Sequence, residues 1–341
     1  MARAIWKKLT SDPSIQRSSQ VLSVIGNDAY IYGGELRPRE PVDSSVYRIP
    51  LDSGLTSNAQ ITTLSSTDPT PQPRVGTASA TIGDKLYLFT GRGGVAMAPV
   101  EENGSLWVFD TKTTSWSQLS PAPGSPFPQG RSYHALTSNG TDTIYLHAGC
   151  PTTDRLSDLW AFDITSKIWK ELPSAPGPAR GGTSIAFSNG KIYRMNGFDG
   201  KTEQGGALDV FDVAANEWTT MTFPADGVSG PEARSVAALL AVTIAGRDSL
   251  VTLFGERDPS SLGHAGAGKM LGDVWVFDIE DHKWSQVSVT GGDGADEKPA
   301  PRGWFDADVF AIHGRPSGLV VHGGLSESNE RLGDVWVLEF E

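Results

Sequence analysis

A six-residue pattern rich in β-branched and aromatic positions recurs six times along the chain: SVYRIP (45–50), SLWVFD (105–110), DLWAFD (158–163), ALDVFD (207–212), DVWVFD (273–278) and DVWVLE (334–339). Each copy reads as a short buried strand. In four copies a polar stretch follows and then a second tryptophan, Trp116, Trp169, Trp218 or Trp284, as two strands joined by a hairpin would give. Upstream of each copy another apolar run ends in a residue pair closed by glycine: Gly33-Gly34, Thr90-Gly91, Ala148-Gly149, Asn196-Gly197, Phe254-Gly255 and Gly323-Gly324. Further upstream an arginine opens a run of its own, at Arg17, Arg74, Arg131, Arg180, Arg234 and Arg302. The arginine-to-glycine distances are 17 to 22 residues, enough for two strands and a hairpin. The unit is therefore four antiparallel strands, repeated six times.

This arrangement resembles kelch repeats, and the resemblance implies an all-β fold, a six-bladed kelch β-propeller. The sixth unit ends at Glu341 without its tryptophan strand, while Ala4-Ile5-Trp6-Lys7-Lys8-Leu9 matches the missing strand. The N-terminal strand is expected to complete the last blade and close the ring, removing the exposed edges of an open sheet. Residues 1–341 then form one domain, although length alone would suggest two.

Composition narrows the partners. With 28 Lys and Arg against 40 Asp and Glu, the net charge of −12 argues against non-specific binding to nucleic acid or anionic membrane. Cys150 is the single cysteine, so no intramolecular disulfide can form. No apolar run is long enough for a signal peptide or a membrane span, and the default expectation is a soluble, cytoplasmic protein. The oligomeric state is not legible.

Antiparallel pairing brings the arginines and the residues after the glycines to one face. The post-glycine residues are Glu35, Arg92, Cys150, Phe198, Glu256 and Leu325, and their variety against a repeating scaffold marks that face as the functional one. Long loops roof it, at 35–44, 92–104, 150–157, 198–206, 256–272 and 325–333. Two roles are open for Arg17, Arg74, Arg131, Arg180, Arg234 and Arg302. They contact an anionic substrate, or they pair with acids such as Asp158, Asp273 and Asp334. Arg92 lies outside that repeat position and is the better candidate for a ligand contact. Trp304 begins a strand where it can floor a pocket or pack in the core. His134, His147 and His322 read as structural, and His282 and His313 as solvated turn residues.

Several segments go beyond a generic repeat: GGELRP (33–38), RGGTSIAFSNGKIYRMNGF (180–198), PEARS (231–235), FGERDPSSLGHAGAG (254–268), PRGWF (301–305) and VVHGGLSESNERLGDVWV (320–337). These resemble the plant specifier proteins, the nitrile-, epithionitrile- and thiocyanate-forming ones, and their relatives. The resemblance implies a lyase- or isomerase-type enzyme acting on sulfated glucosinolate aglycones with ferrous iron. It implies iron ligands in a fifth-blade pattern E-x3-D-x3-H, which here places Glu256 and His264 but puts Ser260 at the aspartate. Asp258, two residues earlier, is the substitute, and weak Fe(II) binding is the expectation. It also implies that Arg92 contacts substrate, with Arg155 as a second arginine and Glu35 preserved from the first-blade GGE; these three are the catalytic candidates.

The expectation is a small-molecule enzyme that rearranges, cyclises or eliminates from an anionic or polar metabolite, with Phe198 and Trp304 also lining its pocket. Two other classes remain. A metal-free cyclase or isomerase would orient a substrate in the same pocket and stabilise charge with Arg92. A non-catalytic kelch module would dock a protein partner through an acidic peptide.

Overall fold

The computed structural model describes residues 3–51, 59–65, 69–292, 297–312 and 315–341. It contains six antiparallel sheets of the expected order, each with an inner strand, two middle strands and an outer strand. The inner strands are Ser18–Ile25, Ala78–Ile82, Ala135–Ser138, Ser184–Ser188, Ala238–Ile244 and Asp306–Ile312, and they line one channel of about 330 Å³. The six signature runs are the third strands of their sheets, for example Leu106–Asp110 between Lys85–Phe89 and Ser115–Leu119.

These third strands read as continuous apolar runs because each sheet is covered on both faces by its neighbours. The hydrophobic core is correspondingly divided. Its six clusters lie at the six seams between adjacent sheets, as where Phe89 and Leu106 meet Trp160 and Trp169. The aspartate that ends the signature has a separate task. Asp110, Asp163, Asp212 and Asp278 each accept backbone N–H bonds from two residues in the following turn. That fixes the hairpin leading to the tryptophan strand.

At the N-terminus, Arg3–Ser11 pairs antiparallel with Asp334–Phe340, with Ala4 opposite Phe340 and Ser11 opposite Asp334. Trp6 is buried against Phe254 and Trp336. One feature was not foreseen: Ser288–Gly291 adds to the other edge of Arg3–Ser11 in parallel, giving this sheet a fifth strand. That strand ends at Gly291, while Asp293 and Gly294 lie outside the described residues, as does His313.

The arginines do not open the inner strands as expected. Most lie four residues earlier, because the residue two places after each arginine has a left-handed backbone that breaks the ladder: Ser19, Gly76, Tyr133, Gly182, Val236 and Trp304, with φ between 47° and 61°. These six residues form a closed circuit of backbone hydrogen bonds. The N–H of each donates to the carbonyl of the equivalent residue one sheet back, from Gly76 to Ser19 round to Ser19 onto Trp304, at 2.7 to 3.2 Å.

Just outside that circuit sits the arginine layer. The Nη1 of Arg17, Arg74, Arg131, Arg180, Arg234 and Arg302 donates to the carbonyl before the signature glycine of its own sheet, at 2.9 to 3.1 Å. In five of the six sheets the glycine N–H donates to the arginine carbonyl of the next sheet, as from Gly149 to Arg180 and from Gly255 to Arg302. The glycine is required here. Its φ is 104° at Gly149 and 106° at Gly255, and a Cβ would lie 2.9 Å from a backbone oxygen in both cases.

Four of the arginines also meet an acid closely, Arg74 with Glu102, Arg131 with Asp158, Arg234 with Asp273 and Arg302 with Asp334, at 2.6 to 2.9 Å, and Arg17 lies 3.9 Å from Asp43. The signature tryptophan steadies that acid, since the indoles of Trp107, Trp160, Trp275 and Trp336 donate to the same carboxylates. In the fourth sheet the acid has moved two residues, and Asp209 pairs with Arg194 at 2.6 Å instead of with Arg180. Arg194 also donates to Nε2 of His147, whose Nδ1 bonds to the Asp158 carbonyl. His322 is likewise engaged, with Ile15 and Gln20. His282 is exposed in its hairpin.

Two predictions follow from burial. Arg234→Met should cost about 3–5 kcal/mol of stability in chemical denaturation, because it strands a buried carboxylate; a loss below about 1 kcal/mol would show that the pair is not under load. The second concerns Asp306 and Asp308, which accept N–H bonds from Leu22 and Val24 across the seam between the last and first sheets. Burial outweighs those bonds and raises the two carboxyls to about 7 and about 6. The folded state thus prefers the protonated acids, so stability is greatest below the unfolded pKa and falls as pH rises through the folded values. Asp306→Asn should therefore gain on wild type in thermal midpoint between pH 4 and pH 8. A variant that loses ground at pH 8 would mean that the N–H bonds dominate.

Candidate functional site

The backbone circuit decides what stands over the channel. Its six positions carry three side chains too small to cover it, Ser19, Gly76 and Gly182, together with Val236, Tyr133 and Trp304. Tyr133 and Trp304 come from opposite sheets and meet edge to face across the axis, with ring centroids 5.2 Å apart. Tyr133 lies over Gly76, where a Cβ would approach its ring to 2.8 Å, so glycine there is what lets the ring settle. His264, on a short turn of the fifth-sheet loop, stacks on Tyr133 at 5.8 Å and meets the edge of Trp304 at 5.4 Å. The side-chain amide of Asn329 holds that turn through the carbonyl of Ala265 at 3.0 Å.

Two chambers lie around this aromatic floor. The first, of about 230 Å³, is bounded by Arg39, Arg92 and Arg155 together with Glu35, Cys150 and His264. The second, of about 150 Å³, is bounded by Phe198, Trp304, Glu203, Glu256 and Ser260. Tyr133, Cys150, Arg155 and His264 belong to both.

Arg92 is aimed by three bonds, to Ser132 Oγ at 2.8 Å and to the carbonyls of Met97 and Pro151 at 3.2 and 3.0 Å. A guanidinium has five N–H groups, so donors remain for a ligand. Arg155 lies over the Phe198 ring at 5.2 Å, and its buried Nε has no hydrogen-bond partner. Among the described residues Arg39, Arg92 and Arg155 make no ion pair. Glu35 is different. Its carboxylate takes the Arg331 guanidinium at 3.1 Å and the backbone N–H of Arg39 at 2.7 Å. Burial still raises its pKa above the usual carboxylate range.

The lowered pKa of His264 has two sources, desolvation first and then the guanidinium groups of Arg39, Arg92 and Arg155. Burial pushes the Cys150 thiol up against the opposing pull of Arg155 and Arg92, so it stays a thiol. Burial also raises the carboxyls of Glu203 and Glu256.

The structure brings together Arg92, Arg155, Glu35, Phe198, Trp304, Glu256 and His264, and it leaves out the others. None of the six repeat arginines lines either chamber; they are buried in the scaffold layer, four of them in the acid-paired arrangement. Asp258 does not join Glu256 and His264. Its backbone is left-handed, and its side chain is 77% exposed, 3.7 Å from Arg257. Glu256 Oε1 is engaged by the Gly268 N–H at 2.7 Å, and Ser260 Oγ by the N–H of Leu262. Among the described residues no three His, Cys, Asp or Glu side chains gather as a metal site. The residues present do not fit the three-ligand iron site that the family pattern implies, because Asp258 is turned outward and serine supplies a neutral oxygen where an anion is needed.

Four residues of the site escaped the reading of the sequence. Tyr133 carried a usable signal, since it stands two residues after Arg131 as Trp304 stands after Arg302. Arg39, Arg331 and Glu203 lie in loops whose paths the repeat does not dictate.

Known proteins fit this picture. A family model for the KLHDC2/KLHL20/DRC7 Kelch-repeats domain matches residues 19–255. N-(sulfonatooxy)prop-2-enimidothioate sulfolyase of Thlaspi arvense is 28% identical over 345 residues, covering 94% of this chain and 91% of that protein. The specifier resemblance drawn from the motifs is thus matched by a plant sulfolyase similar over nearly the full chain. Human Kelch domain-containing protein 3 is 28% identical over 206 residues, 58% of this chain and 51% of that protein. The solved structure described as "Structure of YjhT" superposes with a TM-score of 0.70 over 95% of both chains at 16% identity, a likeness of fold alone. Among the described residues no helix is long and apolar enough to cross a membrane. With more than half its length matched by that family model, and with six sheets of the repeat set around one channel, the chain belongs to the kelch-repeat family.

Proposed function

We propose that this chain is a lyase- or isomerase-type enzyme that eliminates from, rearranges or cyclises an anionic metabolite held in the first chamber. One observation carries the reading: three guanidinium groups, of Arg39, Arg92 and Arg155, line one cavity and make no ion pair among the described residues, although Glu35, held by Arg331, and Asp154 line it too, in a protein whose net charge is −12. Such a cluster repels itself and is stabilised by an anion. The sulfolyase of Thlaspi arvense, similar over nearly the whole chain, suggests that the anion is a sulfate ester or a related oxyanion.

In this reading Arg92 and Arg155 orient the anionic group and stabilise the negative charge that grows on it as a bond breaks. The three bonds that aim Arg92 mean that little reorganisation is needed when the substrate arrives. Glu35, bound by Arg331 and by the Arg39 backbone, acts as a positioning residue that holds the first and last loops together over the chamber. Tyr133 and Trp304 close the channel beneath and keep its water from the reacting atoms. No step uses iron. We also take the pairing of Arg3–Ser11 with Asp334–Phe340 to be what closes the six-bladed ring, since it ties both chain ends into one blade.

A second reading has one observation in its favour. Leu36, Val95 and Leu262 are exposed on loops of the same face, as a surface that docks an acidic peptide would have them. The two concave chambers beneath favour a small molecule.

The test is release of sulfate from N-(sulfonatooxy)prop-2-enimidothioate by metal-stripped protein. Turnover above the uncatalysed rate is expected, and Arg92→Ala and Arg155→Ala should each lower kcat/KM by about 10²–10³-fold. Absence of turnover together with saturable binding of an acidic peptide would favour the docking reading. Turnover that needs added Fe(II) would overturn the metal-free step.

A further inference from the structure

The second chamber has the opposite character to the first, and nothing in the reading above uses it. Its walls include Phe198, Trp304 and His264, and its acids are Glu203 and Glu256; Arg155, which lies over Phe198, and the hydroxyls of Ser235 and Ser260 line it as well. Glu256 is 5% exposed, with one oxygen engaged by the Gly268 N–H. Glu203 Oε1 is buried and has no hydrogen-bond partner. A buried carboxylate oxygen left without a donor is costly, and it is found where a water, an ion or a ligand supplies the donor. Aromatic faces beside carboxylates suit an organic cation, which the rings attract through their quadrupoles while the carboxylates accept its N–H groups. A metal ion is the weaker fit, because among the described residues no set of three His, Cys, Asp or Glu ligands gathers there.

The two chambers are continuous, since Tyr133, Cys150, Arg155 and His264 wall both. Across the mouth the charge therefore changes sign, from guanidinium groups on the first three sheets to carboxyls on the loops of the fourth and fifth. We propose that the second chamber is an ammonium site and that the substrate is zwitterionic, with its anionic group against Arg92 and Arg155 and its ammonium group between Glu203, Glu256 and Trp304. The proposal rests on the reading of the first chamber as an anion site.

Calorimetric titration of the intact protein with aminoalkanesulfonates of graded length, against alkanesulfonates of equal length, tests it. At the best length the amino compound should bind about tenfold more tightly, the order expected for a desolvated cation–π contact with a charge-assisted hydrogen bond. Glu203→Gln should reduce that preference to about twofold or less, whereas Arg92→Ala should weaken both compounds alike. Equal affinity of the two series for wild type would overturn the ammonium site and leave the anion chamber standing, as would a preference that Glu203→Gln does not change. If neither series binds wild type, the anion reading fails and the zwitterion with it.

Discussion

Each sheet of this protein is tied to the next through an arginine buried beside the channel. The side chain holds its own sheet by donating to the carbonyl before the signature glycine, while in five of the six cases its backbone carbonyl takes the N–H of the glycine one sheet back. A step inward, the closed circuit of backbone bonds from Ser19 round to Trp304 sets the spacing of the sheets about the axis. Both sets of bonds are buried, so each unmade bond would carry its full desolvation cost. That explains why the arginine and the glycine recur where the residues around them vary.

The same constraint creates the site. Because the circuit fixes backbone and leaves side chains free, its six positions can hold anything that tolerates a left-handed φ. Here Tyr133 and Trp304 use that freedom to cap the channel, and glycine at 76 makes room for the Tyr133 ring. The post-glycine positions behave alike. Arg92, Cys150, Phe198 and Glu256 occupy equivalent places with unrelated chemistry, and each faces a chamber. The candidate site therefore occupies the layer immediately outside the repeated one, where a change of side chain leaves the ring bonds intact.

The fold was legible because repetition turns weak local signals into a strong one. Six copies of the signature, each bounded by arginine and glycine, give the strand count and pairing that the sheets display. The parallel strand at Ser288–Gly291 was not legible, since it belongs to no repeat and depends on where a loop passes. For the site, sequence spacing marked the face and many of its residues, including Arg92, Arg155, Glu256, His264 and Trp304. It could not separate ligand-facing arginines from scaffold arginines. That distinction depends on burial, and on acids such as Glu102 and Asp334 that stand about 30 residues from their partners. Nor could it reveal that Asp258 turns outward, which is set by one left-handed residue in a loop. Arg39, Arg331 and Glu203 stayed hidden for a related reason, because loop paths decide which charges meet over the chamber.

In the function proposed, the guanidinium cluster, and not an iron centre, is the working part of the site. Anaerobic calorimetric titration of metal-stripped protein with Fe(II), with His264→Ala as the control, tests this most directly. The account predicts no saturable binding that the His264 substitution removes. Stoichiometric binding lost in His264→Ala would contradict it, and would mean that the loop around Asp258 and Ser260 rearranges to complete a metal site.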